Sequence, residues 1–149
     1  MAWSDISPAV RTILDASVQR LEVVHVRGID FPCWKCGQPN DIPLLIHLKG
    51  YDRPDERIHS TTSEPIVAYA RDLLTLVGHA AASTIKPRWS RTAQQRYLSL
   101  GCLDCDALFG SFPLQEEVVS VLASDSVSTL PLLAELARPA LEWHALDLT

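Results

Sequence analysis

The sequence predicts an α+β fold, and three observations predict it. Two Cys-x-x-Cys pairs, Cys33–Cys36 and Cys102–Cys105, stand with 65 residues between them. Stretches 21–26 and 42–49, rich in β-branched and aliphatic residues, bracket the first pair and read as strands. Helix-start signals, a serine cap with proline in the first turn, occur at Ser7-Pro8 and at Ser63-Glu64-Pro65. The 149 residues suffice for one domain, 1–149, that buries a real core without help from a metal. A composition of 47% apolar and 21% charged residues is that of a globular chain and excludes collagen, coiled coil and wholesale disorder.

Taken in order, the first helix is expected from Ser7 to about Arg20, with Val10, Ile13, Leu14 and Val18 at helical spacing. Residues 21–31 and 42–49 then form a hairpin with the first cysteine pair at its tip and a turn at Gln38-Pro-Asn-Asp41. Residues 50–63 are polar and turn-rich and read as a loop. The second helix follows, with Ile66, Ala70, Leu73, Val77 and Ala80 in one apolar stripe. Short strands are expected at 85–90 and 96–100, the second leading to Cys102, and a return strand at 107–114. Residues 115–123 read as a short helix, 124–129 as a polar linker, and 130–146 as an apolar helix broken near Pro139.

Two residues between cysteines let a tight turn aim two sulfurs at one point about 2.3 Å away, as half of a tetrahedral zinc site requires. Two such pairs complete a four-thiolate shell. The long separation is tolerable, because loop-closure entropy grows only logarithmically with length while structural zinc supplies on the order of 10 kcal/mol. Three other readings stand beside zinc: a redox dithiol, disulfides and an iron–sulfur cluster. A redox dithiol needs one pair and a helix N-terminus, and two-residue spacing suits an intrapair disulfide poorly. Gly37 follows the first pair, where a knuckle needs positive φ. Asp106 holds the same place after the second pair and tolerates that conformation next best.

The expected architecture is therefore a pair of zinc-ribbon β-hairpins bearing the two knuckles, with an inserted helix and flanking N- and C-terminal helices. Its halves are placed at about 21–49 and 84–114, the helical insertion at 63–83 and a C-terminal helical extension at 115–149. Cys33, Cys36, Cys102 and Cys105 are the candidate metal ligands, for one structural zinc per chain. Trp34, inside the first knuckle, is expected to shield the metal, the alternative being exposure beside it.

The phrases Phe31-Pro-Cys-Trp-Lys-Cys-Gly37 and Arg91-Thr-x-x-x-x-Tyr97-Leu-x-x-Gly-Cys-x-x-Cys-x-Ala-Leu-Phe-Gly110 resemble a group of poorly characterised bacterial zinc-ribbon proteins with split cysteine-pair halves. The similarity covers about residues 29–38 and 88–114. It implies the same four cysteine ligands and places Ser90, Thr92, Tyr97 and Gly110 in the frame of the second half. Gly101 and Asp106 depart from what that frame leads one to expect. The group transfers no biochemical activity, so the resemblance speaks to the metal and leaves function open.

Net charge is −5, against a generic nucleic-acid binder. It is unevenly spread: residues 84–101 carry +4, from Lys86, Arg88, Arg91 and Arg96, and residues 102–149 carry −7. One reading pairs the basic island with the acidic flank inside the molecule. The other makes Lys86, Arg88, Trp89, Arg91, Arg96 and Tyr97 an anion or nucleic-acid contact, with Trp89 and Tyr97 as stacking platforms. The five histidines fall at no mutual metal-ligand spacing, and neither a nucleophile elbow nor a phosphate-binding glycine loop is present. No catalytic residue is assigned.

No stretch of about 18 apolar residues exists to span a membrane, and residues 1–5 lack the features of a secretory leader. The expectation is a cytoplasmic, zinc-bound, non-catalytic interaction module with a protein partner, the alternative being a nucleic-acid-binding ribbon using 86–97. The apolar 130–146 helix is expected to dock on its own core or to pair with another chain as a dimer contact.

Overall fold

The structure is a computed structural model that describes Ser7, Ala9, residues 20–53 and residues 57–148. The helix expected from Ser7 to about Arg20 lies almost wholly outside the described residues.

β1 (Leu21–Asp30) runs antiparallel to β2 (Asp41–Leu48) and forms the expected hairpin. The register sets Val24 opposite Leu48 and Val26 opposite Ile46. Side chains alternate across a strand, so these residues share one face, and Val24, Val26 and Ile46 are fully buried there. His25 and His47 face each other on the opposite side. β3 (His59–Ser60), a short pairing within the expected loop, adds to β2.

α1 (Glu64–Leu76) starts where the Ser63-Glu64-Pro65 signal places it. Proline costs nothing in a first turn, whose amides lack partners in any case. The buried stripe is Ile66, Val67, Ala70, Leu73 and Leu74. It stops short of the expected Val77, which is exposed, because Gly78 takes φ +72° and turns the chain out of the helix. A 3-10 helix at Ala80–Thr84 follows, its first turn capped by the His79 ring accepting from the Ala81 amide.

β4 (Lys86–Ser90) and β5 (Gln95–Gly101) form an antiparallel pair, and β6 (Leu108–Phe109) joins β5. The expected return strand over 107–114 is thus only two residues long. α2 (Ser111–Ala123) begins four residues before the expected 115, because Pro113 sits within its first turn instead of ending a strand. In the expected linker, Val127 is fully buried within a short 3-10 turn.

The C-terminal helical extension over 115–149, and within it the helix over 130–146, is corrected by the structure. β7 (Leu132–Pro139) pairs antiparallel with β1, giving a four-stranded sheet ordered β3-β2-β1-β7. Beyond residue 130, only α3 (Ala140–Ala145) and one 3-10 turn after it are helical among the described residues. Leucine, alanine and glutamate favour a helix, yet tertiary pairing overrides propensity. Without β7, one whole edge of β1 would leave its amides and carbonyls unpaired. Pro131 and Pro139 bracket the strand and hold their preceding residues extended. The long helix offered as a dimer contact is therefore not formed.

α1 packs against β2, β5 and β7 and so bridges the two sheets. Leu114, Val118 and Val121 of α2, Phe109 of β6 and Trp143 of α3 belong to the same continuous core.

Candidate metal centre

The two cysteine pairs occupy equivalent turns at the tips of the β1–β2 and β5–β6 hairpins. In the first, the Cys33 amide donates to the Gln38 carbonyl at 2.9 Å and the Gly37 amide to the Cys33 carbonyl at 2.9 Å. In the second, the Cys102 amide donates to the Ala107 carbonyl at 3.0 Å and the Asp106 amide to the Cys102 carbonyl at 3.1 Å. Gly37 has φ +78° and Asp106 has φ +65°, so both turns bend through the left-handed region at the residue after the second cysteine. Inside the first turn the Lys35 and Cys36 amides point at the Cys33 sulfur, at 3.3 and 3.5 Å. Such amide donors stabilise a thiolate over a thiol.

The hairpins bring all four sulfurs within 4.8 Å of one another. Cys33 and Cys105 are 3.5 Å apart, and Cys36 and Cys102 are 3.6 Å apart, each pair spanning the two turns. Four sulfurs at the corners of a tetrahedron, each about 2.3 Å from a central ion, are about 3.8 Å apart. The four cysteines are thus positioned to bind one metal ion, and the soft thiolate set suits zinc, copper(I) or iron. Cys33 and Cys102 are buried and Cys36 is exposed, so the cluster opens to the surface on the Cys36 side. The Cys105 amide, the Asn40 side-chain amide and the Asp104 amide draw the Cys102 thiol down to about 6, against desolvation that raises it.

Asn40, read from the sequence only as part of a turn, proves to be the joint between the two tips. Its side chain is buried. Its Nδ2 donates to the Cys102 sulfur at 3.5 Å and to the Gln38 carbonyl at 3.1 Å, and its Oδ1 accepts from the Leu103 amide at 2.9 Å. An asparagine two residues past a Gly-Gln knuckle is the available sequence signal. Nothing in its spacing says that it reaches the other pair. Trp34 does not shield the metal: it is 70% exposed. Its indole N–H donates to the Leu108 carbonyl at 2.8 Å and so also ties the two tips together. Phe31 and Phe109 pack edge to face beneath, with centroids 5.2 Å apart.

Five residues of the basic-aromatic segment are divided between the two faces of the β4–β5 hairpin, and the sixth, Arg91, lies in its turn. Arg88 is buried. It donates from Nε and Nη2 to Asp106 at 3.1 and 2.7 Å, and from Nη1 to the Ser99 carbonyl and hydroxyl at 3.0 and 3.2 Å. Lys86 Nζ meets the same Asp106 oxygen at 2.9 Å. Hydrogen bonds first from Lys86 and then from Arg88 hold the Asp106 carboxyl below the usual carboxylate range. Asp106 therefore both makes the second turn and pairs with two of the four cations of the basic island. Tyr97, opposite Arg88, is half-buried on the same face. Trp89 and Arg96, opposite each other, lie on the other face and are exposed, as is Arg91 in the connecting turn.

Ser90, Thr92, Tyr97 and Gly110, the frame residues of the resemblance, line one cleft of about 540 Å³. Glu64 and Phe112 line it too. Glu64 accepts from the Leu98 amide at 2.9 Å and so fastens the start of α1 to β5. The histidines stand apart from the cysteines. His25 Nε2 donates to the Glu135 carboxylate at 2.6 Å, and His47 is held between the Leu48 carbonyl at 2.7 Å and Arg27 at 3.2 Å.

Comparison with family models, with curated proteins and with solved structures returns no match.

Proposed function

We propose that the four cysteines hold one zinc ion in a structural role, and that the chain is a non-catalytic interaction module of a reducing, cytoplasmic setting. The observation that carries this reading is the geometry of the sulfurs, which come from two equivalent turns and lie at tetrahedral spacing. Four protein ligands close the coordination shell and leave no position for water or substrate, the mark that separates structural from catalytic zinc sites. The ion would fasten together two hairpin tips that belong to different sheets. Trp34 and Leu103, each directly after the first cysteine of its pair, are 70% and 57% exposed. Zinc would hold these two apolar side chains in a fixed relation on the rim of the site, which supports a protein partner over a soluble substrate.

The test is native mass spectrometry of protein purified in reductant, followed by cobalt substitution. One zinc per chain, released on acidification together with unfolding, is the expected result. The cobalt form should show a four-thiolate tetrahedral spectrum that added cyanide or azide leaves unchanged. A metal-free chain lighter by two or four hydrogens would mean oxidised cysteines and would overturn the zinc reading. A cobalt spectrum that shifts with added anion would reveal an open coordination position and overturn the non-catalytic one.

A further inference from the structure

We propose that the outer face of the β4–β5 hairpin and its turn, with Trp89 and Arg96 on the face and Arg91 in the turn, are a contact site for single-stranded nucleic acid. It goes beyond the reading above, which concerns the rim of the metal site, by assigning a second surface its own partner. Antiparallel pairing sets Trp89 directly opposite Arg96 and Pro87 directly opposite Leu98. Directly opposed side chains project to the same face about 5 Å apart, so an indole and a guanidinium stand side by side on one strip. Trp89 is 55% exposed, which leaves much of a large aromatic surface in water. Among the described residues neither Arg91 nor Arg96 has an ion-pair partner.

Charge complementarity selects an anion. Within residues 84–101 there are four cations and no acid, and Asp106 takes up the two on the inner face, Lys86 and Arg88. Of the two left, Arg96 stands beside the exposed indole and Arg91 lies in the turn that follows it. An exposed aromatic with one guanidinium opposite it and a second in the adjoining turn suits a nucleobase and its neighbouring phosphates. The bases of a duplex present no free faces to stack on, so the geometry favours a single strand. The platform is preformed. The turn at 91–94 is held by the Gln94 amide donating to the Ser90 carbonyl at 2.8 Å and by the Ala93 amide donating to the Ser90 hydroxyl at 3.1 Å. The Gln94 side chain donates to the Arg91 carbonyl at 2.6 Å and fixes the turn that carries that arginine. The −7 carried by residues 102–149 opposes a long footprint, so the contact is short and its affinity modest.

The experiment titrates the full zinc-loaded chain with fluorescein-labelled oligothymidylate and oligouridylate at low salt, reading anisotropy. Two phosphate contacts to a single strand predict a loss of affinity of about 25-fold for each tenfold rise in salt. Trp89→Ala should weaken binding about tenfold or more, and the Arg91→Ala, Arg96→Ala double variant should flatten the salt dependence. These three positions lie away from the four cysteines, so unchanged zinc content shows that each variant is folded and separates failure here from failure of the zinc reading. Absence of saturable binding by either oligonucleotide at low salt would overturn the proposal. So would an affinity that Trp89→Ala leaves unchanged, or tighter binding of a polyglutamate peptide at this face, which would assign it to an acidic protein instead.

Discussion

The guanidinium of Arg88 fills the space in which a side chain at Gly101 would begin. A Cβ on residue 101 would lie 2.5 Å from Nη2 and 2.7 Å from Nη1 of Arg88. Gly101 is not held at positive φ, so its role is room, not backbone freedom. Gly101→Ala should unseat the guanidinium and cost about 1–3 kcal/mol, the usual range for forcing an atom into packed space. Urea denaturation measures it. A midpoint equal to that of the wild type would show that Arg88 moves aside without loss.

The two halves of the basic island should respond differently to truncation. Arg88→Ala takes the guanidinium donor from the Ser99 carbonyl and leaves Asp106 with Lys86 alone, and should cost about 2 kcal/mol. Arg91→Ala removes an exposed side chain and should change stability by no more than about 0.5 kcal/mol. Equal destabilisation by the two, measured in the same denaturant series, would contradict the inward placement of Arg88.

Asn40 should tune the metal without binding it. Asn40→Ala removes the donor to the Cys102 sulfur and the acceptor for the Leu103 amide. Zinc affinity, measured by competition with a chromophoric chelator, should fall about tenfold to a hundredfold, as for other residues that orient ligands. Cys33→Ser and Cys102→Ser are the reference for complete loss: both should abolish stoichiometric zinc and cooperative unfolding together. Retention of a full zinc by either serine variant would remove that cysteine from the ligand set.

Burial, the largest cause, lowers the pKa of His47 below the ordinary histidine value; the Leu48 carbonyl opposes the shift and Arg27 reinforces it. The unfolded chain takes up this proton near about pH 6.5 while the folded chain resists it. The unfolded state then binds more protons, so stability falls as pH drops below about 6.5 and continues to fall until the folded ring titrates. His59, lowered first by burial as well, acts in the same direction. His47→Gln should reduce the slope of stability between about pH 7 and about pH 5.5, with zinc content measured at each pH. An identical slope in the variant would show that His47 does not contribute.

The hairpins and the first described helix were legible because their signals are local. A β-branched run, a Cys-x-x-Cys turn and a Ser-Glu-Pro helix start each act within a few residues, and β1, β2, α1, β4 and β5 stand near where those signals place them. The cysteine cluster was legible for the same reason, since each half-site is one turn. What was lost depended on partners far away in the chain. Residues 132–139 have the composition of a helix, and only the open edge of β1 makes them a strand. The basic island is one run in sequence, but alternation splits it, turning Arg88 inward while Trp89 and Arg96 stay outside. Asp106 carried two signals at once, and the sequence exposed only the turn. Asn40 was missed because its contact to the second knuckle crosses more than 60 positions.

The place of β1 in the middle of its sheet sets an order on how the molecule can be made. During synthesis the β1–β2 hairpin and its first two thiolates emerge early, with half a coordination shell. The other half follows only after Cys105, and the neighbour on the remaining side of β1 comes later still, at Leu132–Pro139. A ribosome-bound chain arrested between these points would carry a complete set of sulfurs and a bare strand edge, the feature that templates association between chains. Metal capture would then precede closure of the sheet, and the edge of β1 would stay bare through the interval between the two.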